Sequence, residues 1–189
     1  MDLIAHAVYG ATVCSQSGLA GGSKGSAVKG RSPWIADRTV WLAALFGVLP
    51  DVVSMGLPFL LFRLTGAHGN FFRDLDANIL VCYRYMHSLI VALAVSGLLV
   101  LVWKPLRVPS LAWPLHVLMD SVTHGAGKFQ TPLFYPVSTW GLHGIRWWLH
   151  PGVMLTYWSL LPCIWLCLWT WRRRRRECEQ SNHEMRTDS

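Results

Sequence analysis

Residues 85–103 read YMHSLIVALAVSGLLVLVW and contain no Asp, Glu, Lys or Arg. A helix that crosses the hydrocarbon core of a bilayer needs about 20 mostly apolar residues, so this stretch predicts a transmembrane helix. The same pattern lies on both sides of it. Residues 152–171 also lack charged side chains, and residues 39–62 carry only Asp51. Residues 108–123 carry only Asp120 but include two prolines, so this segment spans the membrane only if neighbouring helices shield its backbone.

The composition agrees with a membrane protein. The 189 residues are 52% hydrophobic and only 14% charged, whereas soluble domains are about a quarter charged. The sequence therefore predicts an all-α fold, a multi-pass transmembrane helical bundle of about four to five helices. Residues 1–171 form a single membrane domain in this prediction, and residues 172–189 form a polar cytoplasmic tail. The predicted spans are residues 3–20, 39–63, 85–103, 108–124 and 152–171.

Some segments leave alternatives open. Residues 3–20 either cross the membrane or insert only partway, because their apolar run is short. Residues 21–33 are rich in Gly, Ser and Lys and predict a linker. Residues 64–84 are polar and predict a loop, and Pro50 predicts a kink in the first long span.

The distribution of Lys and Arg predicts the orientation. If the C-terminal tail is cytoplasmic, twelve of the 17 Lys and Arg residues fall on the cytoplasmic side and five on the outer side. This is the bias of the positive-inside rule. The basic run 172–176 directly follows the last apolar segment, so we expect it to contact anionic membrane lipids. No recognition motif accompanies the run, and we expect no nucleic-acid partner.

Ionisable residues within apolar segments indicate a functional site, because burying them in a membrane is costly. In LHVLMDSVTHG (residues 115–125), His116, Asp120 and His124 are spaced by four and share one face of a helix. Two imidazoles and a carboxylate on one face are suitable ligands for zinc or a similar divalent metal ion. A purely structural hydrogen-bond network is the alternative.

Four further residues accompany this triple. Asp51 lies within the first long span, His87 opens the next one with Arg84 one turn before it, and His6 lies in the first apolar segment. The predicted orientation places all of the histidines and aspartates in the outer half of the bundle. Taken singly, His6 and His87 also suit hydrogen-bonded positions near helix ends, and Asp51 suits a capping role.

Together these elements resemble a known family. In order they are His6, Leu49-Pro50-Asp51, Arg84 with His87-Ser88, His116-x-x-x-Asp120 with Thr123, and the Pro132–Pro136 segment PLFYP. This order, over roughly residues 1–140, resembles the membrane-bound metal-dependent hydrolases of the LexA-regulated, inner-membrane type. The ligand order is also distantly similar to that of zinc-dependent phospholipase C enzymes.

The resemblance implies an integral protein of a bacterial inner membrane that binds a divalent metal ion, zinc or alternatively manganese. It implies His6, Asp51, His87, His116 and Asp120 as metal ligands, to which the spacing adds His124, and we expect Asp51 and Arg84 to be catalytic residues. The chain departs from the family at Val53, where a second acid is usual, and at Tyr83, where a histidine is usual.

The leading hypothesis is therefore a metal-dependent hydrolase of phosphoester or lipid-linked substrates. A zinc-like ion would lower the pKa of its water toward about 7. Asp51 or Asp120 would orient that water or act as general base, and Arg84 would pair with a phosphate oxygen. The alternative is an inactive structural or partner-binding membrane protein with a degenerate site. A haem electron-transfer protein is disfavoured by the aspartates, since axial haem sites use neutral imidazole.

Overall fold

The computed structural model describes residues 1–19 and 36–187, so that the whole of the predicted linker, residues 21–33, lies outside the described residues. Within these two ranges all regular secondary structure is helical. The α-helices are α1 (Leu3–Val13), α2 (Arg38–Asp51), α3 (Leu57–Leu64), α4 (Ala77–Met86), α5 (Leu89–Val102), α6 (Ala112–Thr123) and α7 (Pro151–Thr187). The all-α prediction is confirmed for the described residues.

The first long apolar segment forms a continuous helix of 27 residues, Arg38–Leu64, which joins α2 and α3. Pro50 cannot donate a backbone hydrogen bond and crowds the preceding turn. The helix adjusts directly after it through a π-helical turn, Val52–Gly56. The kink predicted at Pro50 is thus replaced by a widened turn that follows Asp51.

The segment predicted as one span over residues 85–103 is broken. Helix α4 already begins at Ala77, within the predicted polar loop, and the chain bends by 56° between α4 and α5. The break at Ser88 is stabilised from outside the helix. The Ser88 hydroxyl caps α5 and donates to the carbonyl of Tyr135, while the Leu89 N–H donates to the carbonyl of Leu133 at 2.9 Å. These bonds replace the helical ones that a straight span would make.

Two helices of the described chain are long and apolar enough to cross a membrane, or three if α4 and α5 form one bent span. They are Arg38–Leu64 and the first 21 residues of α7, Pro151–Trp171. Helices α1 and α6 have 11 and 12 residues and therefore extend over about 17 and 18 Å. Each is shorter than the hydrocarbon core of about 30 Å, so neither spans it alone.

Helices α1 and α2 pack unusually closely, and glycine permits it. A Cβ atom on Gly10 would lie 2.5 Å from the carbonyl oxygen of Ala43, and one on Gly47 would lie 2.5 Å from that of His6. Helix α6 covers the same face through Ala112, which is buried against Ala43 and Cys14. This three-helix contact holds His6 beside α6.

Helix α7 is attached to the bundle through the start of α1. The hydroxyl of Tyr157 donates to Asp2 at 2.6 Å, and the hydroxyl of Tyr9 donates to the Tyr157 carbonyl at 2.6 Å. Partial burial raises the pKa of the Asp2 carboxyl, but hydrogen bonds from Tyr157 and from the N–H of Ala5 outweigh it and hold that pKa below its ordinary value. Asp2 thus caps α1 and fastens it to α7.

Replacing Gly47 by Ala is expected to lower the free energy of unfolding by about 1–3 kcal/mol, because the added methyl group overlaps the His6 carbonyl. Denaturant unfolding in mixed micelles measures the change. Gly97→Ala in α5 is the matched control, since a Cβ there meets nothing within 4 Å. Equal stability of the two variants would contradict the close α1–α2 contact.

Candidate metal centre

Four side chains from three parts of the bundle meet at one point. They are Asp51 at the end of α2, His87 at the break between α4 and α5, and His116 and Asp120 on one face of α6. One ligand atom of each lies within 4.8 Å of the others, so that the four could hold a metal ion. The side chains of His87, His116 and Asp120 are fully buried, whereas that of Asp51 is 26% exposed.

Both histidines of this group are oriented by backbone carbonyls. The Nδ1 atom of His116 donates to the carbonyl of Gly47 at 2.7 Å, and that of His87 donates to the carbonyl of Tyr83 at 3.0 Å. A carbonyl oxygen only accepts, so the proton of each neutral ring lies on Nδ1 and the Nε2 lone pair is free. The two Nε2 atoms lie 3.2 Å apart and face the carboxylates. This is the tautomer and orientation that a histidine ligand needs.

The carboxylate of Asp120 gives the strongest indication that a cation fits. Its Oδ2 atom is buried and accepts no hydrogen bond from the described residues. The Nε2 atoms of His116 and His87 lie only 3.3 and 3.4 Å from it. Two lone pairs and a carboxylate oxygen at such distances repel one another unless a proton or a metal ion lies among them. The donor set therefore suits a divalent cation.

The remaining two predicted ligands surround the other oxygen of Asp120. The Nε2 atom of His6 lies 2.9 Å from Oδ1, and the Nδ1 atom of His124 lies 3.3 Å from it. The amino group of Met1 also contacts Oδ1, at 2.7 Å. The structure thus brings all six predicted histidines and aspartates together around Asp120. His6 and His124 lie outside the four-residue group, and their role as ligands stays a prediction.

An apolar pocket of about 390 Å³ opens beside this cluster. Asp51 and His124 form its polar part. Its walls are mainly apolar and come from α3 and from the loops around residues 72, 129 and 147. The residues that form these walls include Met55, Gly56, Phe59, Phe72, Phe129 and Trp148. Asp51 is the one member of the four-residue group that lines the pocket, so a molecule in the pocket reaches the cluster through Asp51.

Arg84 is less directly placed than the other predicted residues. It is half-buried in α4, it does not line the pocket, and no ion pair joins it to a described residue. The contacts of its neighbour Tyr83 with the cluster were not predicted from the sequence. The ring of Tyr83 stacks on His87 with centroids 4.0 Å apart, and its hydroxyl donates to the carbonyl of Phe129 at 2.8 Å. Tyr83 therefore orients His87 and connects it to the pocket wall.

Replacing Asp120 by Asn in chelator-treated protein is expected to cost about 3–5 kcal/mol of stability, because it leaves His6 and the Met1 amino group buried without their charged partner. Asp51→Asn is the matched variant and is expected to cost only about 1–3 kcal/mol, since Asp51 is partly exposed. Denaturant unfolding in mixed micelles compares them. A larger loss for Asp51→Asn would refute the central role of Asp120.

Comparison of the chain with protein-family models, curated proteins and solved structures gives no match.

Proposed function

We propose that this protein is a membrane-embedded, metal-dependent hydrolase whose centre is formed by Asp51, His87, His116 and Asp120. The observation that carries the proposal is the inward convergence of two imidazole Nε2 atoms and two carboxylates, with both imidazoles held from behind by backbone carbonyls. The two Nε2 atoms lie 3.2 Å apart beside the two carboxylates, an arrangement in which one ion can contact all four side chains.

The donor set supports zinc or manganese as the ion. Imidazole suits zinc, and carboxylate suits manganese, so that two of each favour a divalent ion of intermediate character. His87, His116 and Asp120 are the residues that would hold it, because all three are fully buried. When bound, the ion supplies Lewis acidity at this point and favours the ionisation of water.

The exposure of the two aspartates supports different roles for them. Asp120 is buried among nitrogen donors and holds the histidines in place. Asp51 lines the pocket, and its Oδ1 atom lies 3.2 Å from Nε2 of His87. We therefore assign Asp51 as the general base that takes a proton from water entering through the pocket. His124 also lines the pocket and is the residue placed to donate a proton to the leaving group.

The apolar pocket walls support an amphiphilic substrate with a hydrolysable ester or phosphoester bond at its polar end. The long apolar helices, with the basic run 172–176 directly after the last of them, support an inner-membrane protein with a cytoplasmic C-terminus. The placement of the site in the outer half stays a prediction, since the count of Lys and Arg behind it took residues 108–124 as a full span, which the short helix α6 does not form alone. The phosphate-binding role of Arg84 belongs to this proposal as a prediction.

A non-catalytic membrane protein with a degenerate site is the second candidate. Tyr83 and Val53 favour it, because they stand where the resembling family has a histidine and an acid. The stacking of Tyr83 on His87 gives that position a packing role. A protein of this kind would keep the fold of the cluster without needing a metal ion.

Elemental analysis of detergent-purified protein is expected to find at least about one equivalent of zinc or manganese, as His/Asp sites of this kind require. The double variant His116→Ala/Asp120→Ala is expected to lose the metal, together with the chelator-sensitive hydrolysis of ester or phosphoester amphiphiles. His143→Ala is the matched control, because His143 is exposed and lies outside the cluster. Equal, near-zero metal in the wild type and the double variant would favour the non-catalytic alternative.

Reporter fusions test the proposed orientation. Green fluorescent protein fused after residue 189 is expected to fluoresce in bacterial cells, and alkaline phosphatase at the same point is expected to be inactive, since the basic run 172–176 retains the C-terminus in the cytoplasm. Replacing the five arginines of that run by asparagine is expected to weaken this bias. An active phosphatase fusion on the unaltered chain would show that the C-terminus lies on the outer side, and it would refute the proposed orientation.

A further inference from the structure

We infer that the apolar pocket holds one unbranched hydrocarbon chain, so that the substrate is a single-chain amphiphile cleaved near its polar end. This inference rests on the function proposed above for Asp51 and its metal centre. It adds the class of the substrate, and it assigns Gly56 as the residue that leaves room for the chain.

The helix Arg38–Leu64 forms one wall of the pocket. Along this helix the residues that line the pocket change from polar to apolar. Asp51, Gly56 and Phe59 all line the pocket, in that order along the helix. Gly56 ends the π-helical turn that follows Asp51, and a Cβ there would meet only ordinary contacts, the nearest at 3.7 Å from the backbone carbonyl oxygen of Asp51. Gly56 has no side chain to fill the pocket that it lines, and the chain of a substrate can pass there toward Phe59.

Another part of the wall is built from two loops that Lys128 joins. Its ammonium group donates to the carbonyls of Phe72 and Arg73, the second at 3.0 Å. Phe72 and the adjacent Phe129 both line the pocket. The charge of Lys128 is thus directed at backbone oxygens, and the residues that line the pocket include no Lys or Arg. Away from Asp51 and His124 the walls offer aromatic and aliphatic contacts, which suit a hydrocarbon chain.

The size of the pocket favours one chain over two. Its volume of about 390 Å³ lies near the lower end of the range of roughly 300–1,000 Å³ that ligand pockets cover. The wall residues that narrow it are large, namely Phe59, Phe72, Phe129, Trp147 and Trp148. We infer that a monoacyl ester or a monoalkyl phosphoester fills this space better than a diacyl lipid does.

Straight-chain hydroxamates test the inference, because the head group binds zinc and the chain probes the pocket. Isothermal titration with acetohydroxamate, hexanohydroxamate, octanohydroxamate and decanohydroxamate is performed on zinc-loaded protein in nanodiscs. Affinities refer to the free ligand in water. Each added methylene is expected to tighten binding up to about fourfold, from about 0.8 kcal/mol per buried CH₂, until the pocket is filled.

Gly56→Leu is the decisive variant. Its Cβ meets only ordinary contacts, so the bundle accepts it, but the rest of the side chain occupies the pocket. Decanohydroxamate is expected to bind Gly56→Leu at least about tenfold more weakly than the wild type, with acetohydroxamate unchanged. Gly97→Leu is the matched control on the exposed face of α5 and is expected to match the wild type. If Gly56→Leu fails to fold, Gly56→Ala is expected to give a smaller loss confined to the longest chain.

The outcomes separate this inference from the proposed function. Binding of acetohydroxamate without any gain from longer chains would overturn the chain-binding pocket and leave the metal centre intact. The chain-binding pocket would also be overturned if the affinity increased equally with chain length in the wild type and in Gly56→Leu. If no hydroxamate binds, the proposed metal centre is refuted. Binding of decanol, which has no metal-binding head group, then tests the pocket independently of the metal ion. Decanol binding that Gly56→Leu abolishes would support the pocket, and absence of decanol binding would overturn it.

Discussion

The buried carboxylate of Asp120 is the constraint on which the rest of the structure depends. An ionised aspartate with no exposed surface, in a bundle of apolar helices, is stable only when cationic or hydrogen-bonding groups surround it. Helix α1 supplies His6 and the Met1 amino group, the break after α4 supplies His87, and α6 itself supplies His116 and His124. His6 can reach Asp120 because Gly10 and Gly47 let α1 and α2 pack closely beside α6. The close packing and the polar cluster therefore depend on each other.

The irregular backbone lies next to this cluster. The π-helical turn follows Asp51, and the 56° bend follows His87. Within a membrane, freed backbone groups are tolerated only where other parts of the protein satisfy them. The bend meets that condition through the N–H of Leu89 and the hydroxyl of Ser88, which donate to carbonyls of the 133–135 segment. Each irregularity thus directly follows a polar side chain of the same centre.

Residue type and local spacing were enough to predict the all-α fold and the five ionisable residues that lie around Asp120. Charge is rare in the apolar segments, and the spacing of His116, Asp120 and His124 places them on one face of a helix. The break at His87 was not predictable, because it depends on carbonyls about 45 residues later in the chain. The pocket was missed for the same reason, since Phe129 and Trp148 belong to a segment without periodicity. Arg84 illustrates a further limit: its distance along the chain from His87 did not reveal that it would lie away from the pocket lining.

The unequal exposure of the two aspartates helps to decide whether the cluster is a functional site or only a network that stabilises the fold. A packing network reaches its best stability when every charged member is enclosed and satisfied. Asp120 meets that description, but Asp51 does not, because its side chain is 26% exposed at a pocket with mainly apolar walls. An acid next to apolar walls costs free energy that a purely structural design would avoid by an apolar residue at position 51. The arrangement instead gives the cluster one opening, through which a molecule in the pocket meets a carboxylate backed by two oriented histidines. That combination of an enclosed carboxylate and an accessible one is what the proposal of two different roles for Asp120 and Asp51 rests on.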